Sequence, residues 1–417
     1  MWSMNPTHGT VLISGGGIAG PALAYWLRRA GFTPTVVERA GTIRSGGHRI
    51  DLGATGIEML TRMGVGERIR GLGAPIPNPT LYLGDNDHEI TIPVQPNSVG
   101  TSIALRRGDV VSTVNSLVAD DVEFIFDDSI TAIEQSAEST RVSFERGPSR
   151  DFDLVVGADG INSNVRSIAY GPRERYAHFL GTNLAITEVE NYLGLRDQML
   201  AHTWPHCGLA ITTFPGNTAL ETTFLIRDEE PLDPRGRSPE SVFAYVERRF
   251  KYHRWEVHNA LDRIRPRPDF HAAPSVQIKM PTWTAGRVAL VGDAAYCPDP
   301  MSGEGTTLAL AGAYVLAGEL AAARGNPAAA FPAYEKVMRE VVKAGQGVAE
   351  AGTSMLAPRT GPGGLWLRDQ AMRAAVPIIR LGARLGLSLA GTNKVGLAIP
   401  TYDFSRSPLR SARGERG

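Results

Sequence analysis

The sequence predicts a mixed α/β fold in which a parallel sheet is assembled from separated stretches of chain, an antiparallel sheet is inserted between them, and helices close the C-terminal end. Three observations carry this reading. "VLISGGGIAGPALAYWLRRAGFTPTVVER" (Val11–Arg39) sets Gly15, Gly17 and Gly20 between an apolar run and a helical pattern. Far downstream, "DLVVGADGINSNVR" and "GRVALVGDAAYCPDPMSGEGTTLALAGAYVLAGEL" repeat the apolar run that ends in glycine and aspartate. Between these two, segments such as "LAITTF" and "LETTFLI" read as strands of a different, antiparallel layer.

Length and composition bound the partners. At roughly 100 to 200 residues per domain, the 417 residues allow two or three domains with ample core. Lys plus Arg and Asp plus Glu both number 43, so the net charge is zero and no field favours nucleic acid or an anionic membrane. A small-molecule partner is expected. Cys207 and Cys297 form no CxxC, which fits a reducing cytoplasm, and "MWSMNPTHGT" lacks the basic and apolar pattern of a signal peptide. The longest apolar stretch, Thr306 to Ala323, carries Glu319 and follows a glycine cluster, which predicts a buried helix rather than a membrane span.

The elements follow in order. "TVLIS" is a buried strand, Ile18 to Arg29 a helix stopped by Gly31, and "PTVVE" a second strand. Ile57, Leu60 and Met63 predict one amphipathic helix from Gly56 to Arg70, after which prolines interrupt "GAPIPNPTLYL" and "TIPVQPNS". "DVEFIFDD", "ITAIEQS" and "TRVSFERG" read as antiparallel strands, Pro239 to Phe250 as a polar helix, and the stretches after Pro332 as long helices. These readings predict a discontinuous nucleotide-binding domain over 8–75, 101–171 and 281–345. A substrate-binding antiparallel domain is expected over 76–100 and 172–280, a helical segment over 346–405, and a disordered tail over 406–417.

Each glycine of the first motif has a separate job. Gly15 permits the tight turn, Gly17 lets the main chain approach a pyrophosphate, and Gly20 lets helix and strand pack closely. The helix opening at Gly17, Ile18, Ala19 and Gly20 then presents N–H groups and a positive dipole end to the phosphates. Glu38, followed by Arg39, closes the second strand where a carboxylate can accept from an adenosine ribose. A 2′-phosphate would meet Glu38 as a like charge, so this motif alone leaves FAD and NAD open. The later motifs choose FAD. Asp159 ends a buried strand at the ligand-binding edge of the sheet, with a helix-capping role as the alternative. Gly292 and Asp293 end another strand, where the carboxylate suits a ribityl polyol that nicotinamide dinucleotides lack. From Pro300 through Gly303 and Gly305 to Thr306, a glycine loop opens a helix whose dipole can face a ring that becomes anionic on reduction.

Together these residues resemble the class A flavoprotein monooxygenases, the family of para-hydroxybenzoate hydroxylase, whose GxGxxG, DG and GD fingerprints fall in the beginning, middle and last third of this chain. "RSGGHRIDLGATGIEMLTRMGV" and the overall size look most like the tetracycline-inactivating branch and related tailoring oxygenases of aromatic natural products. The resemblance implies a GR2-type, Rossmann-like FAD domain with Glu38 on the ribose, Asp293 on the ribityl chain and Arg107 on the FAD. It also implies Asp51 beside the flavin and Arg44 toward a visiting NADPH. The implied reaction is reduction of tightly bound FAD by NADPH, formation of a C4a-hydroperoxide with O₂, and oxygen transfer to an aromatic or polyketide-like substrate by a monomer or homodimer. Tyr296, Glu304, Thr307 and Gly312 depart from the family pattern, and the first three are expected near the flavin ring.

Within the enzymes, a flavin halogenase or double-bond reductase is the alternative; outside them, a flavoprotein that only carries a ligand. The WxWxIP element of halogenases is absent. No side chain is assigned acid–base catalysis; one is expected, if anywhere, on the antiparallel layer, to deprotonate a phenol or enol. His202 and His206 share an i,i+4 spacing, but Pro205 argues against a helix presenting both to a metal. No GxSxG elbow occurs. Trp204, Phe214, Phe224 and Trp283 read as core, and "DRIRPRP" as a solvated loop.

Overall fold

The computed structural model describes residues 8–43, 46–77, 79–83, 88–91, 102–233, 238–265, 270–384 and 399–404. Arg44 and the tail expected over 406–417 lie outside them. The first stretch runs β1 (Thr10–Ser14), α1 (Ala19–Arg29), β2 (Thr33–Glu38), β3 (Arg49–Leu52), α2 (Ala54–Arg62), α3 (Gly66–Leu72), β4 (Ala74–Pro75), β5 (Pro79–Leu83) and β6 (His88–Thr91). It continues with β7 (Ile103–Arg106), α4 (Arg107–Ser116), β8 (Glu123–Phe126), β9 (Ile130–Gln135), β10 (Thr140–Phe144), β11 (Arg150–Phe152), β12 (Leu154–Gly157) and α5 (Asn164–Tyr170). Long antiparallel strands follow: β13 (Ala177–Glu190), β14 (Met199–Trp204), β15 (Cys207–Thr213) and β16 (Ala219–Arg227), then α6 (Pro239–Phe250), α7 (Val257–Ile264) and β17 (His271–Ile278). The chain ends in β18 (Thr284–Ala285), β19 (Val288–Leu290), α8 (Asp293–Tyr296), α9 (Gly305–Ala322), α10 (Pro327–Leu356) and α11 (Pro362–Arg384).

The main sheet has the order β18-β19-β12-β1-β2-β8, with every pair parallel except β18 and β19. Its central strands are apolar runs covered on both faces; Val11, Leu12, Ile13, Val155 and Val156 are fully buried. Three strand ends that are distant in sequence, Ser14, Gly157 and Leu290, thereby come into one row. The expectation that "DVEFIFDD" forms an antiparallel strand is corrected: β8 pairs parallel with β2 at the sheet edge. Half-exposed alternation reports that one face is solvated and carries no information on direction.

The second large sheet, β17-β13-β16-β15-β14-β5-β6, is antiparallel except between β5 and β14. One face packs on α6 and α7 through Leu209, Ile211, Phe224, Phe250 and Leu261. The other carries Leu184, Ala201, Ala210 and Leu225, packed with Met301 and the chain at Leu356 and Ala357. The sheet's second face therefore looks toward the glycine-rich loop that precedes α9. A β3-β7-β4 sheet bridges the two, with Asp51 opposite Ala104.

The single helix expected from Gly56 to Arg70 is two, α2 and α3. Gly64, at φ +83°, turns the chain back between them, which a continuous helix does not permit. Helix α9 is the one helix among the described residues long and apolar enough to cross a membrane, yet 78% of it is buried inside the fold. It packs on α1, α2 and α10.

Two departures from the family pattern explain each other. A Cβ at Gly312 on α9 would stand 1.8 Å from the Tyr296 hydroxyl, which occupies that space and shares a hydrogen bond with the Tyr334 hydroxyl at 3.1 Å. Tyr334 in turn donates to the Leu290 carbonyl at 3.0 Å, and Trp283 meets the Tyr296 ring edge-on. Tyr296 is thus a core side chain, 1% exposed. Gly312→Ala is expected to destabilise the protein by about 1–3 kcal/mol in thermal or denaturant unfolding, and Tyr296→Phe to recover part of the loss. Equal stability of Gly312→Ala and the parent would contradict this packing.

Candidate functional site

The glycine turn is fixed by contacts that exclude side chains. Gly15 has φ +114°, and a Cβ there would lie 2.5 Å from the Ala158 carbonyl oxygen. A Cβ on Gly20 would lie 1.9 Å from the Gly15 carbonyl oxygen, so the first turn of α1 rests directly on the loop. Gly17 differs: its nearest neighbour would be Arg107 Nη2 at 3.8 Å, in otherwise open space, and Gly17 is partly exposed where its neighbours are buried. No neighbour within the described chain demands a glycine here, and the space over it is open to approach from outside. The N-cap, Ile18, supplies no side-chain acceptor and the first turn of α1 has no carboxylate. The leading N–H groups and the positive dipole end are left for an anion.

Glu38 ties this loop to β2. Its Oε2 accepts the Gly16 N–H at 2.7 Å and its Oε1 the Ala40 N–H at 2.9 Å. A carboxylate has about four acceptor positions, so lone pairs remain for hydroxyl donors. Arg39 beside it is exposed. Arg107, at the start of α4, connects first and last motifs: its guanidinium is the Gly17 neighbour, and its charge holds down the carboxyl of Asp293. Burial raises the Asp293 pKa above the ordinary range, and Arg107 and the Cys297 thiol offset part of that rise. Gly292, at φ +65°, lets β19 turn into α8 between Ala19 and Ala309, whose Cβ atoms lie 3.2 and 3.6 Å from the position a side chain would take.

Asp159 performs helix capping. Its carboxylate accepts the N–H groups of Asn164 and Val165 at 2.8 and 3.1 Å, the Ser163 hydroxyl, and the Ser14 hydroxyl at 3.4 Å. Burial raises its pKa, with those donors pulling the other way. The fully buried Arg166 then donates to the carbonyls of Ala294 at 2.8 Å and Ile161 at 2.6 Å, locking the middle motif onto α8.

Before α9 the loop is strained. Asp299 has φ +92° and is held by accepting from the Ser275 hydroxyl and the Met301 N–H; burial pushes its pKa up to about 6. Gly303, at φ +66°, turns the loop back, and a Cβ on it would lie 3.8 Å from Asp51 Cβ. Gly305 faces Asp293 Oδ1 at the same distance. Thr306 is buried, and Pro300 is exposed at the loop's outer bend. Thr307 points its hydroxyl toward Gly56 on α2, without a hydrogen-bond partner among the described residues. Glu304 lies beside Gly345 of α10.

Sequence reasoning missed the charged residues where this loop meets the antiparallel sheet. Arg49 pairs with Asp51 at 2.7 Å, and its backbone N–H donates to Glu221 Oε2 at 2.9 Å. Glu188 takes both Arg106 guanidinium nitrogens, at 2.7 and 3.1 Å, and Arg106 lies over the Phe214 ring. Burial pushes Glu221 up to about 7, the Arg49 amide and charge opposing this and the Asp51 and Glu188 charges adding to it. No local motif marks these residues; only strand pairing brings them together. His202 stacks on Trp204, and His206 sits at φ +65° in the hairpin turn. Among the described residues no His, Cys, Asp or Glu cluster has a metal-binding arrangement.

Two outcomes follow from this geometry. Gly15→Ala is expected to cost several kcal/mol of stability, whereas Gly17→Ala is expected to leave thermal unfolding of flavin-free protein within about 0.5 kcal/mol while weakening FAD retention. Retention of flavin equal to the parent's by Gly17→Ala would contradict the approach argument. Glu221, with its folded pKa above the ordinary 4.5, contributes stability below that value that is lost as pH rises through about 7. Glu221→Gln is therefore expected to raise the Tm at alkaline pH, by an amount equivalent to at most about 3 kcal/mol, and to change little below pH ~4.5.

Comparison with known proteins gives the family. A family model described as an FAD binding domain matches residues 8–344. The chain is 34% identical over 340 residues to a flavin-dependent monooxygenase of Legionella longbeachae, covering 81% of this chain and 86% of the relative. An uncharacterised protein of Mycobacterium tuberculosis is 37% identical over 349 residues, covering 81% and 91%. The crystal structure of the tetracycline destructase Tet(55) superposes with a TM-score of 0.74 at 28% identity, over 93% of this chain and all of that one.

Proposed function

The chain belongs to the FAD-binding-domain family of flavin-dependent monooxygenases, and on that premise we propose that it hydroxylates an aromatic or polyketide-like small molecule at the expense of NADPH and O₂. The observation that carries the cofactor's placement is the bare Gly17 facing Arg107 at the uncapped opening of α1, with Asp293 in the reach of the same guanidinium. In this reading the pyrophosphate rests on the N–H groups of Gly17, Ile18 and Ala19, Glu38 accepts from the ribose, and Asp293 from the ribityl chain. The loop from Pro300 to Thr306, with Asp51 beside Gly303, faces the ring. FAD, when bound, supplies the electrons and the activation of dioxygen.

The chain's own residues hold, orient and shield. Arg107 opposes the phosphate charge, and Gly303 and Gly305 let backbone N–H groups come close to a developing anion, an electrostatic role. The antiparallel sheet supplies the substrate wall: the partly exposed Ile186 and Thr223, backed by the buried Leu184 and Leu225, stand next to the Glu188 and Glu221 carboxylates on the same face. Such a wall suits a planar, mostly apolar molecule with a few polar groups. The likeness to a tetracycline destructase supports a polycyclic, enol-bearing substrate class. No second dinucleotide motif is evident for NADPH, which fits a reductant that binds transiently.

The test is NADPH consumption by the flavoprotein against a panel of phenols and tetracyclines. A substrate is expected to accelerate NADPH oxidation and to gain one oxygen atom from ¹⁸O₂, and Asp293→Ala is expected to lose most of its FAD. A flavoprotein whose NADPH oxidation no aromatic compound stimulates would be a ligand carrier, and would end this reading.

A further inference from the structure

Two glutamates stand directly across from one another on the sheet face that looks toward the flavin loop. Glu188 of β13 and Glu221 of β16 are Cα partners in the antiparallel register, a placement that is repulsive unless each charge is answered. Glu188 is answered by the bidentate Arg106. Glu221 is not: among the described residues no guanidinium or ammonium lies within ion-pair distance of it, and Arg49, the nearest cation, turns its Nη2 to Asp51. What Glu221 receives is one neutral donor, the Arg49 backbone N–H on Oε2, which leaves Oε1 for another partner. Arg49 itself holds a donor in reserve. Its side chain is 10% exposed, and its buried Nε–H has no acceptor among the described residues.

These groups lie where substrate and flavin must meet if the proposed function holds. Asp51 is packed against Gly303, while Thr223 and Leu225 continue the Glu221 face onto the apolar wall that touches Met301. We propose that Glu221 is the catalytic base that removes the hydroxyl proton of a phenolic or enolic substrate, with Arg49 Nε–H stabilising the oxyanion left behind. The substrate O–H bond breaks, an O–H bond forms at Glu221 Oε1, and the electron pair stays on the substrate oxygen. That pair enriches the ring carbons that receive oxygen. An ordinary carboxylate is too weak a base for this transfer. Burial lifts Glu221 to about 7, and the groups facing it set that value between them: Asp51 and Arg49 on β3, Glu188 on β13 and, through Glu188, Arg106 on β7. The assignment rests on the aromatic or enolic substrate proposed above.

The experiment has one arm that needs no turnover. Oxidised flavoprotein is titrated with 4-nitrophenol, whose phenolate absorbs separately from the phenol, in the parent, Glu221→Gln and Glu221→Asp. Above pH ~7 the parent is expected to bind the phenolate with uptake of one proton, its affinity falling about tenfold per pH unit, Glu221→Gln to bind it with an affinity independent of pH in that range, and Glu221→Asp to keep part of the dependence, all three with equal flavin content. In the turnover arm, kcat/KM of the parent is expected to fall about tenfold per pH unit below pH ~7, and Glu221→Gln to lose about 10²-fold or more at alkaline pH together with that limb. A pH dependence of probe affinity in Glu221→Gln equal to the parent's would overturn the assignment. A parent that takes up a proton on binding the probe yet oxygenates no compound would overturn the proposed reaction while leaving Glu221 as a proton acceptor.

Discussion

The close contact of backbone on backbone at Gly15 and Gly20 is the constraint on which the rest of the site depends. With no Cβ on Gly20, α1 descends until its first turn touches the Gly15 carbonyl, and with none on Gly15 that turn lies against Ala158 at the end of β12. The helix opening is thereby held over the ends of β1 and β12, the position at which open α/β sheets bind ligands. Everything else is arranged around that opening. Arg107 reaches it from α4, Gly292 lets α8 pass between Ala19 and Ala309, and Arg166 fastens α8 to the middle motif.

A second theme is local charge in a chain of zero net charge. Carboxylates and arginines gather where the antiparallel sheet meets the nucleotide-binding part, Arg106 pairing with Glu188 across the boundary and Arg49 with Asp51 along β3, while Glu221 is left over. Buried acids such as Asp159, Asp293 and Asp299 are tolerated because donors from the adjacent chain are aimed at them. Glu221 breaks that pattern: it has a single neutral donor and carries a stability penalty once ionised. Retaining it against that penalty is the kind of local conflict that functional sites show and core packing does not.

Much of the fold was readable from the sequence because it is written locally. The α/β class followed from apolar runs ending in glycine, and β1, α1, β2 and α6 fall close to their expected bounds since caps, glycine stops and periodicity mark each end. Less was readable where structure depends on partners. β8 was read as antiparallel because alternation records exposure and not direction. The break at Gly64 was hidden beneath an apolar period that runs on through it. Tyr296 and Gly312 looked like separate departures from the family pattern, and only packing shows that one fills the space vacated by the other. Glu221 and Arg49 are separated by 172 residues, so no motif could join them, although the antiparallel layer was the place where an acid–base group was expected.

The central claim is that these converging segments hold one FAD on the opening turn of α1. Its most direct test is the flavin content of gently purified protein after incubation with excess FAD and desalting, read from the visible spectrum before and after denaturation. About one FAD per chain, released unchanged on unfolding, is expected. Protein that stays colourless under those conditions would contradict the account.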